Sequence, residues 1–252
     1  MMADFGRKAR LRLLGIGVAA GAVLTAGGVF AVTSLGDGST ERGTEAKPSP
    51  SVSSTTESPR KVKEYTPATA PRLSLLKPKS NADRIGTGFE YSSFGATSAA
   101  VSYWEGLDLL DDVIAHKQWT AIAAKDSPET IDQGVSEVRK LREGVGLPPS
   151  GGTPDGITFS TNVKAVLTRS LDKSGDIVVV WMSYDRFATI RGKGADDDPL
   201  RDETTNLILK WDGSDWKVTT EAKYTAKVTG PRSYAPDSKW AFAAGWRQVS
   251  GG

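Results

Sequence analysis

The sequence predicts an α+β domain held behind a membrane anchor, and three observations carry that prediction. A long uncharged stretch follows a basic cluster at the amino terminus. Apolar residues then recur at three- and four-residue spacing through two segments, as amphipathic helices require. Beyond Asp155 the period changes to two, as half-buried strands require.

Arg7, Lys8, Arg10 and Arg12 precede the uncharged residues 13–35, LLGIGVAAGAVLTAGGVFAVTSL. At about 1.5 Å per residue, such a helix matches the roughly 30 Å hydrocarbon core of a bilayer. Only a helix lets the backbone satisfy its own hydrogen bonds there. The basic residues belong on the cytoplasmic side, which puts everything after Leu35 outside. Residues 1–12 are thus a cytoplasmic segment and 13–35 a transmembrane helix. Val29-Phe30-Ala31 has the small-residue pattern of a signal-peptidase site. Cleavage near Ala31, giving a secreted protein, is therefore the alternative, although the apolar run is long for a signal peptide. Gly17 and Gly21 form a GxxxG spacing, which in a segment this rich in Gly and Ala needs no special role.

Residues 36–82 are rich in Ser, Thr, Pro and Gly. Such a composition buries too little apolar surface to offset the entropy of ordering, so it reads as a disordered linker. Its coil-like span is on the order of 35–40 Å, which keeps the domain near the membrane. Leu73-Ser74-Leu75-Leu76 is its one apolar spot and a candidate for docking on the domain.

Residues 83–252 then suit one domain of common size. A helix is expected over 95–116, with Ala100, Tyr103, Trp104, Leu107, Leu110 and Ile114 on its buried side. His116 at its end would complement the helix dipole. A second helix starts at Ser127-Pro128-Glu129, where Ser127 is placed to cap, and buries Ile131, Val135, Val138 and Leu141 before ending near Gly144. In the first strand Phe159, Thr161, Val163, Ala165 and Leu167 share one face. The second runs through DIVVVWMSYDRFATI and is apolar on both faces at its start, so it sits centrally or bends. The third and fourth form the hairpin NLILKWDGSDWKVTT, with Trp211 opposite Trp216 and Leu209 opposite Val218. The expectation is two helices packed on a curved, mainly antiparallel four-stranded sheet. Tyr234, Trp240, Phe242 and Trp246 crowd the tail, which should pack back on the domain or meet a partner.

Composition excludes several functions. There is no cysteine, hence no disulfide, thiolate zinc site, cysteine nucleophile or lipid-carrying cysteine anchor. His116 is the only histidine, so His-based triads and multi-histidine metal sites have no material. The formal charge is +2, and no basic stripe with interleaved aromatics suggests nucleic acid. No G-x-S-x-G, S-x-x-K or Walker sequence occurs. Asp196-Asp197-Asp198 lacks the alternating ligand spacing of a calcium loop and reads as a solvated connection. No metal, cofactor or catalytic residue is assigned.

The 95–114 helix and the closing Leu207-x-x-x-Trp211-Asp-Gly-x-x-Trp216-Lys-Val hairpin resemble the nuclear transport factor 2-like fold over about residues 86–221. That resemblance implies a sheet wrapped round a long helix as a cone, with Tyr103, Trp104, Trp181 and Phe187 as possible pocket-lining residues. Enzymes of that fold use a pocket carboxylate with a tyrosine or second acid; Asp108, Tyr103, Tyr184 and Asp185 are the candidates by type. Alternation places Tyr184 and Asp185 on opposite faces, and solvated acids explain the rest more simply. The complete layout is similar to bitopic scaffold proteins of type IV secretion and conjugation machines and to uncharacterised actinobacterial surface proteins. It implies a non-enzymatic, membrane-anchored protein that assembles with other envelope proteins or with itself, and the crowded Tyr234, Trp240, Phe242 and Trp246 are the candidate partner surface. The alternative is a small-molecule-binding module or an isomerase-like enzyme using the cone pocket.

Overall fold

A strand that is apolar on both faces needs cover on both sides, and the run Ile177–Ile190 obtains it at the centre of a curved sheet. The computed structural model describes residues 65–250 other than 193, 196–198, 232–233 and 236. The expected cytoplasmic segment, the 13–35 helix with its GxxxG, the linker up to 64 and the three aspartates at 196–198 lie outside the described residues. Among the described residues no helix is long and apolar enough to cross a membrane.

The elements in chain order are β1 (Arg72–Leu73), β2 (Ser80–Ala82), β3 (Ile85–Thr87), α1 (Ser93–Gly106), α2 (Asp112–Ile122) and α3 (Glu129–Gly144). There follow β4 (Ile157–Ser170), β5 (Ile177–Ile190), β6 (Gly194–Ala195), β7 (Leu200–Trp211) and β8 (Trp216–Val218). Two short helices, α4 (Ala222–Thr225) and α5 (Lys239–Ala243), lead to β9 (Arg247–Val249). The main sheet runs β1-β9-β4-β5-β7-β8, with β6 beside β5, and β2 and β3 pair separately. The fold is thus α+β with more strands than the four expected. Arg72 and Leu73 run parallel to Gln248 and Val249, and Leu73, Leu75 and Leu76 pack on the core. The end of the expected linker therefore carries strands.

The helix expected over 95–116 is two helices. Ser92 caps α1 by accepting the Gly95 amide at 2.8 Å. The chain leaves helical geometry at Leu107. Asp108 accepts the amides of Leu110 and Asp111 at 3.0 and 2.7 Å, and Asp111 accepts those of Val113 and Ile114 at 3.0 and 2.9 Å. These side chains satisfy the free amides that start a new helix, and they interrupt the old one. His116 consequently lies in the first half of α2, not at a helix end, and does not serve as a C-terminal cation. Ser127 is also not the expected cap. The cap position is Pro128, while the Ser127 hydroxyl is buried and bonds Glu129 at 2.7 Å and the Thr220 amide at 3.1 Å. Gly134 of α3 packs against the Trp119 indole of α2 with no room for a β-carbon.

Bulges set the faces of the sheet. The β4–β5 register shifts between Val163 and Ala165, and the β5–β7 register between Tyr184 and Arg186. A bulge adds one residue and reverses which face the following residues occupy. Val163 and Val166 therefore both meet the main core under α1, whereas Ala165 and Leu167 join Tyr234, Phe242 and Trp246 on the opposite face. The single alternating face expected for 159–167 is corrected accordingly. Lys164, the extra residue of β4, forms an ion pair with Asp185 at 2.7 Å, and at the second bulge, where β7 carries the extra residue, Asp185 accepts the Asp202 amide at 2.8 Å. The hairpin has the expected register, with Trp211 opposite Trp216 and Leu209 opposite Val218.

Candidate binding clefts

On the helix-covered side, two clefts flank the 107–109 connection between α1 and α2. Leu107, Asp108 and Leu109 line both. The wider cleft has a volume of about 280 Å³, with Arg84, Glu105, Gln118, Thr153, Phe159 and Thr161 on its walls. Arg84 and Asp83 both have positive φ (72° and 47°) in the two-residue turn between β2 and β3. That is the turn geometry matched to strand twist, adopted here without glycine. Gln118 is buried and fully used: it donates to Asp83 O at 2.8 Å and Gly106 O at 3.1 Å, and accepts the Asp108 amide at 2.7 Å. Glu105 accepts the Val163 amide at 2.8 Å. The cleft walls shield its carboxyl enough to raise its pKa above the ordinary carboxylate range, against the lowering effect of that amide, though the side chain still meets water.

The narrower cleft, about 60 Å³, is mostly apolar. Trp104, Trp119, Leu107, Leu109, Val138 and Leu141 surround it. Arg186 of β5 reaches it from the sheet. This arginine is 7% exposed. Its Nε donates to Thr161 Oγ1 at 3.0 Å, and its guanidinium lies 5.3 Å from the Trp104 ring and 5.2 Å from the Tyr184 ring. Those two rings meet edge-on at 5.3 Å. Thr161 is its only hydrogen-bond acceptor among the described residues, and no carboxylate there lies within ion-pair distance. Burial pulls the guanidinium's pKa down and pushes the Tyr184 hydroxyl's up. The Trp104 indole N–H is buried and also lacks an acceptor there.

Of the four residues expected to line a pocket, Trp104 lies on a cleft wall. Tyr103 is fully buried and donates to Trp216 O at 2.6 Å, and burial raises its hydroxyl pKa well beyond the ordinary tyrosine value. Trp181 packs on the opposite face with the tail and with Ile177, Val179 and Ile208. Phe187 stacks under Arg201, whose guanidinium is 5.8 Å from its ring. In the tail, Tyr234, Phe242 and Trp246 are buried against Ala165 and Leu167, and Trp240 remains 59% exposed.

Of the acids weighed by type, Asp108 holds loop amides and Asp185 holds Lys164. Sequence reasoning passed over Arg186 and Glu105. Arg186 stands two residues beyond Tyr184 in β5, and the Trp104 ring that gives it meaning comes from α1, far away in sequence. Among the described residues no group of three or more His, Asp or Glu is placed to hold a metal. No family model, no curated protein and no solved structure matches this chain.

Proposed function

We propose that the chain is a single-pass membrane protein, amino terminus in the cytoplasm, which carries a cone-like, nuclear transport factor 2-like domain outside and works by binding rather than catalysis. The clefts round the 107–109 connection carry this reading. Both are open, the narrower one is mostly apolar, and their acids hold backbone amides: Asp108 two, Glu105 one. Apolar walls with a few polar groups are what small-molecule sites require. Packing of α1 on β4, β5 and β7 and the Trp211–Trp216 closure support the cone. Membrane fractionation with protease treatment of intact protoplasts tests the placement. A full-length, membrane-bound product trimmed only from outside is expected, and a soluble product starting after Ala31 would overturn the anchor.

The exposed Trp240 favours a second reading, assembly with other envelope proteins as in conjugation or secretion scaffolds. Purification of the tagged chain in mild detergent tests it. Recovery with a defined envelope partner, lost on Trp240→Ala, is expected; recovery alone would contradict it.

A further inference from the structure

We infer that the narrower cleft is an anion site whose ligand is a small monocarboxylate with an apolar, flat body, held head-down on Arg186. The inference rests on reading the cleft as a binding surface and names the chemistry of its ligand. A guanidinium taken out of water without a counter-charge is costly, and folded chains seldom keep one there unless it is paired. Arg186 has two aromatic faces and one hydroxyl. Cation–π contacts offset only part of what burying an ion costs. Its remaining N–H groups match a carboxylate in bidentate geometry. Trp104, whose indole N–H has no acceptor among the described residues, shares the cleft wall.

The surroundings decide the rest of the ligand. Most of the wall is made by Trp104, Trp119, Leu107, Leu109, Val138 and Leu141. These residues suit an aliphatic or aromatic body and offer nothing to a heavily hydrated anion such as sulfate. Two carboxylates share the lining, and both are engaged elsewhere: Asp108 by the Leu110 and Asp111 amides, Glu137 by Lys140 at 2.8 Å. Glu203 opposite Tyr184 on β7 acts on Arg186 through space without contact.

The test is calorimetric titration of the full chain in nanodiscs with benzoate, its neutral counterpart benzamide, and sulfate, against empty nanodiscs. Saturable benzoate binding is expected, with benzamide at least about tenfold weaker, as loss of a charge-assisted hydrogen bond implies. Arg186→Met should weaken benzoate by at least about tenfold while keeping or raising Tm, because an uncompensated buried charge is removed. Should that variant fail to fold, the benzoate–benzamide contrast in the natural chain decides alone. Equal binding of benzoate and benzamide, or undiminished binding by folded Arg186→Met, would overturn the anion assignment and leave the binding reading standing. Sulfate displacing benzoate at equal concentration would overturn the apolar carboxylate. Binding of neither aromatic probe would overturn both the assignment and the cleft reading beneath it.

Discussion

Two arginines on the helix-covered side illustrate opposite uses of a buried guanidinium. Arg142 of α3 donates to the carbonyls of Pro148 at 2.7 Å, Gly152 at 2.9 Å, Ser150 at 3.3 Å and, closely, Leu110. It is satisfied, and it pins the 148–152 turn to the start of α2. Arg142→Met should lower unfolding free energy by roughly 2–4 kcal/mol in denaturant titration, because several buried carbonyls lose their donor together. Asp112 completes the pin. The Gly151 amide at 2.8 Å does most to hold its pKa below the ordinary carboxylate value; burial opposes this, and the Ser150 hydroxyl and Arg139 add to it. A depressed carboxylate stabilises the fold above its unfolded pKa, and that contribution disappears as pH falls through the lower folded value. Tm should therefore drop in acid, below the ordinary carboxylate range, and the drop should shrink in Asp112→Asn. An unchanged acid profile in that variant would remove Asp112 from the account. Arg186 is the contrasting residue, buried with no carboxylate within ion-pair distance among the described residues.

Among the elements, hairpin register and central-strand position were legible because each rests on local pairing or composition. A turn between Trp211 and Trp216 leaves few registers, and an all-apolar start to β5 needs cover on both sides. The break between α1 and α2 was hidden because helical spacing continues through Leu107 and Leu110 into Ile114. Only the caps Asp108 and Asp111 mark it. The bulge at Lys164 escaped because a charged residue fits an outward position in either phase; the unbroken apolar run Ala165-Val166-Leu167 was the visible trace. Arg186 was unreadable as a site residue because its meaning depends on Trp104 from α1, far away in sequence. Close packing of α2 and α3 gives a test at this scale. Gly134→Ala would normally favour a helix by about 1 kcal/mol. Here its β-carbon would overlap the Trp119 indole, so the variant should instead lose roughly 1–3 kcal/mol in denaturant titration. A gain would show that α2 and α3 are packed less tightly than described.

Across the whole molecule, both ends of the domain cover one sheet face. Ala70 and Tyr65 from the start of the described chain share a cluster with Tyr234, Phe242 and Trp246 from its end. The parallel β1–β9 pair ties the two together. Three of the four tail aromatics are thereby committed to packing. Ending the chain at residue 228 should uncover Leu167 and Trp181, raise dye binding to exposed apolar surface, and open the 65–73 segment to protease. Retained protection of that segment would show that it docks without the tail.

The most direct measurement of the cleft account is the indole N–H spectrum of the ¹⁵N-labelled full chain, titrated with benzoate. The chain has seven tryptophans, so the signals are few enough to assign by single substitution. The account predicts that Trp104 shifts first and farthest, with Trp119 following, while Trp181 and Trp240 stay still. Shifts confined to Trp181 or Trp240, or none at Trp104 at saturation, would contradict it.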